Sequence, residues 1–147
     1  MARKIAKRLI GIALSSGNAR GFAHIGVLQV LEENNIPVDM IAGTSAGAVF
    51  GSLYAAGRSI QEIIFFAENI QRQYNFFTGF RYWDFRLPPR SGVIKGNMVL
   101  KYFQQWLAHK TFDDLEIPLY IIAADVISGE EVVFDRGPVA EAVRASM

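Results

Sequence analysis

The pentapeptide at positions 43–47, Gly-Thr-Ser-Ala-Gly, constrains this chain more than any other feature because of where it lies. It follows the mostly apolar run 38–42 and immediately precedes a helical pattern, so a strand, a turn and a helix are predicted in succession. A serine in such a turn has a strained backbone, and small residues two positions to either side let the strand and the helix approach closely. Ser45 is therefore a candidate nucleophile; the alternative is a tight turn that happens to contain a serine. The other residues of the candidate turn are Gly43, Thr44, Ala46 and Gly47.

A second glycine-bearing loop, residues 15–21, follows the apolar run 9–14 and opens another helical pattern. Two strand-loop-helix units in succession predict a parallel sheet. Loops that follow neighbouring parallel strands emerge at one edge, so we expect the loop around Gly17 to face Ser45 and offer backbone N–H groups to an oxyanion. The alternative is a phosphate-binding or purely structural turn. A dinucleotide fingerprint is excluded, because it would need glycine at positions 16 and 18.

These two loops, with the stretches 22–28 and 36–48, resemble the patatin-like phospholipase family, most closely its bacterial branch. A looser similarity continues at 95–97, 117–119, 124–125 and 143–146. The resemblance implies a single α/β domain over residues 1–147, with three α/β/α layers around a mainly parallel sheet. It also implies hydrolysis of acyl esters, typically phospholipids or lysophospholipids, by a serine activated directly by an aspartate, without a cofactor or metal. Ser45 matches the nucleophile of that family.

The oxyanion loop of the family reads Gly-Gly-Gly-x-Arg/Lys-Gly, and positions 16–21 here read Ser-Gly-Asn-Ala-Arg-Gly. The donors in such a loop are backbone N–H groups, which a side chain does not remove, and asparagine tolerates a positive φ. We therefore expect Gly17 and Asn18 to supply the donors, with Arg20 orienting the loop and Gly21 completing the motif.

The family continues past the region matched by residues 144–146 to an Asp-Gly-Gly or Asp-Gly-Ala motif that carries the catalytic aspartate, whereas this sequence stops at Met147. None of its six aspartates is followed by Gly-Gly or Gly-Ala. We expect a C-terminally incomplete domain whose catalytic aspartate lies beyond this chain. Asp125 follows an apolar stretch, and we interpret it as the acceptor of a turn before Ser128 and Gly129. The alternative function is an inactive remnant that acts as an interaction module.

Other hydrolase and transferase classes fit less well. A Ser-His-Asp hydrolase of the α/β type needs its histidine last in chain order, and only His24 and His109 are present. We interpret His24 as a packed residue of the helix after the first loop, and His109 as a polar residue near the end of a helix at 97–110. A malonyl-transferase-like enzyme would carry histidine beside the nucleophile, where this chain has Thr44.

Composition and charge further narrow the fold and the kinds of partner that this chain can have. The chain has 147 residues, 51% of them hydrophobic, which suits one α/β domain with a sizeable core. Its net charge of +1 argues against a polyanion binder, and nothing resembles a nucleic-acid module. The basic residues of 1–8 and the apolar run 9–14 imitate a signal peptide, but cleavage near Ala19 would remove the first strand and its loop. We therefore expect a cytoplasmic protein that contacts membranes at its periphery.

Aromatic residues alternate with arginines in the segment 74–90, which predicts either a lipid-docking loop or a loop packed on the helices. A sheet without its last elements would expose an edge and apolar faces, so self-association is expected.

The spacing of apolar residues predicts helices from Phe22 to before Asn34 and at 46–56, 59–74 and 139–147, and strands at 117–126 and 131–135.

Overall fold

The computed structural model describes residues 9–73 and 97–147. The N-terminal stretch 1–8 and the aromatic and arginine-rich segment 74–90 lie outside the described residues, so the expectations for them are not tested. The described elements are, in chain order, β1 (Gly11–Leu14), α1 (Ala23–Glu33), β2 (Met40–Thr44), α2 (Ala46–Ala55), α3 (Ile60–Gln73), α4 (Asn97–Trp106), β3 (Leu119–Ala124), β4 (Glu131–Phe134) and α5 (Val139–Ser146). Short 3₁₀ turns occupy Asn18–Phe22 and Phe112–Asp114.

The strands form one mixed sheet in the order β1-β2-β3-β4. The pairs β1/β2 and β2/β3 are parallel, and β3 turns back into β4 as an antiparallel hairpin. The register places Gly43 of β2 between Leu14 of β1 and Ile121 of β3. The expected α/β class and the mainly parallel sheet are confirmed. Because the first three strands run the same way, the residues that follow each of them emerge at one edge of the sheet.

Burial alternates along the central strands, so the two faces of the sheet differ. Ile41, Leu119 and Ile121 are buried beneath α2 and α5, whereas Met40 and Tyr120 are 40% and 39% exposed on the opposite face. Helix α2 is buried over most of its length because the sheet lies under it and α1, α3 and α5 surround it. The described core therefore lies between the sheet and one layer of helices.

Aromatic rings join α3 to α4 within this core. The Phe66 ring lies 5.1 Å from the Trp106 ring in an edge-to-face arrangement and 5.5 Å from the stacked Tyr102 ring. Helix α4 ends at Trp106, short of the predicted 110, because Ala108 and His109 adopt left-handed φ angles of 50° and 57°. Within the described ranges, no helix has both the length and the apolar character needed to cross a membrane.

Candidate active site

Ser45 lies between the last residue of β2 and the first residue of α2, in the strand-turn-helix setting that the sequence predicts. Its φ is 51° and its ψ is −117°, a backbone conformation that is rare for a residue with a Cβ atom. The Ser45 carbonyl accepts a 3.1 Å hydrogen bond from the N–H of Val49, so the serine is the N-cap of α2. Strain of this kind costs roughly 1–3 kcal/mol and persists only where the surroundings enforce it.

The glycines on either side of Ser45 allow the strand, the turn and the helix to pass closely. A Cβ atom on Gly43 would lie 2.6 Å from the carbonyl oxygen of Gly47. A Cβ atom on Gly47 would overlap the backbone carbonyl of Leu14, at the end of the neighbouring strand β1. The small residues at 43 and 47 are therefore required by contacts between backbones, as the sequence predicts.

The loop 15–21 lies against the start of α2, beside Ser45. Gly21 is buried, and a Cβ atom on it would overlap the Cβ atom of Ala46. Asn18 has a φ of 47°, so the residue that replaces a family glycine adopts the left-handed conformation that asparagine tolerates. The N–H of Arg20 donates to the carbonyl of Gly17 at 2.9 Å, which closes the loop into its 3₁₀ turn. The structure thus brings the two predicted loops together, with the Arg20 side chain exposed.

The two histidines occupy structural positions. Nε2 of His24 lies 2.8 Å from the carbonyl oxygen of Ser15; an oxygen of this kind only accepts, so the ring nitrogen donates. His24 thereby ties the first turn of α1 to the end of β1, which agrees with the interpretation of a packed helical residue. His109 is exposed in the turn that follows α4.

Three of the described aspartates also have structural partners. The Asp125 carboxylate accepts from the N–H groups of Ile127 at 2.8 Å and Ser128 at 3.0 Å, which confirms its interpretation as a turn acceptor. These bonds, that of Ser128 first, lower the pKa of the Asp125 carboxyl. Asp39 accepts from the N–H of Ile10 at 2.8 Å, and Asp114 accepts from the N–H and hydroxyl of Thr111.

Ser146 contacts the backbone of Ser45, and the sequence predicts no role for it. The backbone N–H of Ser45 donates a 2.8 Å hydrogen bond to Oγ of Ser146, in the last turn of α5. The Ser146 hydroxyl in turn lies 2.5 Å from the carbonyl oxygen of Ile122 in β3. The sequence stretch 143–146 has only a loose family resemblance, and a separation of 101 residues leaves no periodicity from which this contact could be read.

A serine strained into a strand-to-helix turn, beside a second loop at the same sheet edge, is the arrangement of the α/β serine hydrolases. Residues 12–147 match the model of the patatin-like phospholipase family, and the chain belongs to that family. The family resemblance stated from the sequence is thereby confirmed.

Curated relatives extend the comparison. An uncharacterized NTE family protein of Mycobacterium bovis is 36% identical over 138 residues, which cover 94% of this chain and 37% of the relative. Another, from Mycobacterium tuberculosis, is 33% identical over 147 residues, with coverages of 100% and 24%. The neuropathy target esterase sws of Drosophila grimshawi is 29% identical over 151 residues, with coverages of 100% and 10%. This chain therefore spans only 10% to 37% of the length of these relatives.

Proposed function

We propose that this chain belongs to a serine-dependent lipid acyl hydrolase, a phospholipase, lysophospholipase or carboxylesterase, in which Ser45 is the nucleophile. The observation that carries the proposal is the left-handed backbone of Ser45 at the β2–α2 turn. In the reaction, the Ser45 oxygen attacks the ester carbonyl carbon while a base takes its proton. The leaving alcohol receives that proton, and water then hydrolyses the acyl-serine.

Backbone N–H groups of Gly17 and Asn18 are the proposed oxyanion donors, with Arg20 orienting their loop. The contact between Gly21 and Ala46 supports this role, because it fixes the loop against the residue that follows the nucleophile. Donors held in place before the reaction stabilise developing charge most, and loss of one such donor costs on the order of 10²- to 10³-fold in turnover.

The base in this proposal is an aspartate that acts directly on Ser45, as the family implies, and it is not one of the six in this chain. The structural partners of Asp39, Asp114 and Asp125 support this assignment. The same observation supports the alternative function, an interaction module that keeps the fold and does not turn over substrate.

Fluorophosphonate labelling of the natural protein that carries these residues together with the proposed aspartate tests the nucleophile, because the probe reports an activated serine without requiring the correct lipid. We expect labelling that Ser45→Ala abolishes and that Ser128→Ala, a change at an exposed serine, leaves unchanged. Asp125→Asn should also label normally if that carboxylate serves only its turn. A folded wild-type protein that contains the proposed aspartate and still does not label would support the interaction module instead.

We further propose that the substrate is met at a lipid surface, by a cytoplasmic protein that contacts membranes at its periphery. Val126 and Ile127, at the tip of the β3–β4 hairpin, are 97% and 94% exposed. The register aligns Thr44 with Ile122, so this tip projects beyond the same sheet edge as Ser45. Within this tip the Asp125 carboxylate accepts hydrogen bonds from the Ile127 and Ser128 N–H groups, and the nearby Glu130 and Glu131 favour neutral rather than anionic lipid.

Co-sedimentation with phosphatidylcholine vesicles tests this contact. Replacing Val126 and Ile127 together by serine should lower the vesicle-bound fraction at least tenfold, since burying even one such side chain contributes about 1.5–3 kcal/mol. The matched control replaces Val27 and Val30, two exposed residues of α1, by serine. Equal binding by the tip variant and the wild type would contradict the proposal.

A second copy of this chain is the remaining proposed partner. Met40, Tyr120 and Val133 are between 39% and 48% exposed on the face of the sheet that no described helix covers, and an apolar face of this kind supports self-association.

A further inference from the structure

The hydroxyl of Ser146 joins three elements of the candidate active site. It accepts the 2.8 Å hydrogen bond from the Ser45 N–H, at the turn between β2 and α2. It also lies 2.5 Å from the carbonyl oxygen of Ile122, in β3. Oγ1 of Thr44, at the end of β2, is 3.4 Å away. One side chain from α5 thus contacts both strands beside the nucleophile and the nucleophile's own backbone.

The direction of each hydrogen bond follows from the atoms involved. The Ile122 carbonyl can only accept, so the single Ser146 hydroxyl proton goes to it. The Ser45 N–H can only donate, so it takes one lone pair of Oγ, and Thr44 is left as a donor to the other. The hydroxyl therefore uses its one proton and both lone pairs, and its orientation is fixed.

This fixed orientation matters because the Ser45 N–H lies at the N-terminal end of α2, where backbone N–H groups have no acceptor within the helix. The first N–H groups of a helix lack intrahelical acceptors, and α2 has no side-chain cap at its N-terminus. Ser146 is half-buried, and Val139, Ala142 and Val143 of the same helix are buried where α5 packs on β3. The acceptor is thus held by a rigid element 101 residues away in sequence.

We propose that Ser146 is a positioning residue that holds the backbone of Ser45 in its strained conformation and so fixes the direction of the nucleophilic hydroxyl. The proposal rests on the proposed function, in which Ser45 is the nucleophile. Without the Ser146 hydroxyl, the Ser45 N–H loses its acceptor and the turn relaxes away from its φ of 51°. The effect falls on the chemical step, while substrate binding is unchanged.

The experiment compares four variants with the wild type, each made in the natural protein that carries these residues together with the proposed aspartate. Ser146→Ala removes the hydroxyl, Ser146→Cys keeps a side chain of similar size with much weaker hydrogen bonding, and Ser146→Thr restores the hydroxyl. The matched control is Ser52→Ala, which removes a buried hydroxyl that donates to the Val49 carbonyl at 2.9 Å on α2. Readouts are the hydrogen-exchange rate of the Ser45 amide by NMR, the rate of fluorophosphonate labelling, and the melting temperature.

We expect Ser146→Ala and Ser146→Cys to exchange the Ser45 amide about tenfold faster and to label about tenfold more slowly, the effect of losing one hydrogen bond of about 1.4 kcal/mol. Ser146→Thr should restore both rates, and Ser52→Ala should lower the melting temperature without changing either. Unchanged Ser45 exchange in Ser146→Ala and Ser146→Cys would overturn the proposal, as would equal changes in Ser52→Ala.

The exchange rate of the Ser45 amide is measured without substrate turnover. It therefore tests the hydrogen bond to Ser146 separately from the proposed function. If the wild type exchanges slowly at Ser45 but does not label, the nucleophile assignment fails while the hydrogen bond from Ser45 to Ser146 stands. If the wild type labels and Ser146→Ala labels at the same rate, Ser45 remains the nucleophile and the positioning role of Ser146 is rejected.

Discussion

Two residues at one edge of the sheet have left-handed backbones although both carry side chains. Asn18 has a φ of 47° in the loop after β1, and Ser45 has a φ of 51° in the turn after β2. Each such residue stores roughly 1–3 kcal/mol, which the surrounding contacts must offset. The parallel pairing of β1 with β2 brings the two loops that carry these residues to one edge of the sheet, where the proposed chemistry occurs.

Substitutions at Asn18 test whether its backbone conformation matters for the site. Asn18→Gly should keep the loop and label at least as fast as the wild type, because glycine adopts a positive φ without strain. Asn18→Val should label at least tenfold more slowly, since a β-branched residue strongly disfavours that conformation. Labelling kinetics of the purified variants give the measurement, with Ala19→Val as a matched change at the next exposed position. Equal rates for Asn18→Val and Ala19→Val would contradict the expectation.

The approach of α2 to β1 is set by backbone contact rather than by side-chain packing. A side chain on Gly47 would meet the Leu14 carbonyl, which cannot move without disturbing the pairing of β1 with β2. We predict that Gly47→Ala destabilises the fold by about 1–3 kcal/mol, the usual cost of overpacking.

The control for Gly47→Ala is Gly26→Ala in α1, where a Cβ atom would have nothing within 4 Å. This change should instead stabilise the fold by roughly 0.5–1 kcal/mol, because alanine restricts the unfolded chain. Urea unfolding of both variants provides the measurement, and two changes of the same sign would show that Gly47 is not confined as described.

The start of α3 is held by a capping box formed by Ser59 and Glu62. The Glu62 carboxylate accepts from the Ser59 N–H at 2.9 Å and hydroxyl at 3.0 Å, and the Glu62 N–H donates back to the Ser59 hydroxyl. The bonds from Ser59, and then that from Arg58, lower the pKa of Glu62. The hydrogen bonds between Ser59 and Glu62 are the reciprocal pair of a capping box.

This capping box gives a pH dependence of known sign. The pKa of Glu62 is lower in the folded chain than in the unfolded chain, so its stabilisation is present above the unfolded pKa and is lost as the pH falls through the folded pKa. Glu62→Gln should lower the melting temperature by a few degrees at pH 7 and match the wild type at strongly acid pH. Melting curves across this range test it, with Glu130→Gln as the control. A wild-type advantage that persists in acid would be inconsistent with this cause.

At the scale of the whole molecule, we expect the face of the sheet that no described helix covers to govern how this chain behaves in solution. We expect self-association that increases with concentration, measured by sedimentation-velocity ultracentrifugation. Replacing Tyr120 and Val133 by arginine should favour the monomer, because charge on that face opposes apolar contact, whereas the same change at Val27 and Val30 of α1 should not. A wild-type chain that stays monomeric at every concentration would refute the expectation.

Sequence patterns predicted the local parts of the site better than its distant ones. Fewer than ten consecutive residues specify each local feature of the site, because their backbone preferences act locally. These features are the strand-to-helix turn at Ser45, the loop after β1 and the turn at Asp125. The end of α4 was predicted four residues too late, because the turn at Ala108 and His109 is favoured by later contacts. One such contact is the hydrogen bond from the Val139 N–H to the Lys110 carbonyl.

The sequence by itself determined that a serine would lie between a strand and a helix, with small residues around it and a glycine-bearing loop on the preceding strand. Those features follow from steric limits on neighbouring residues, which operate before any tertiary contact forms. Only the tertiary structure decided that Ser146 would accept the Ser45 N–H. That contact depends on α5 packing against β3 and on β3 pairing with β2, and such long-range geometry leaves no periodic signal in the chain.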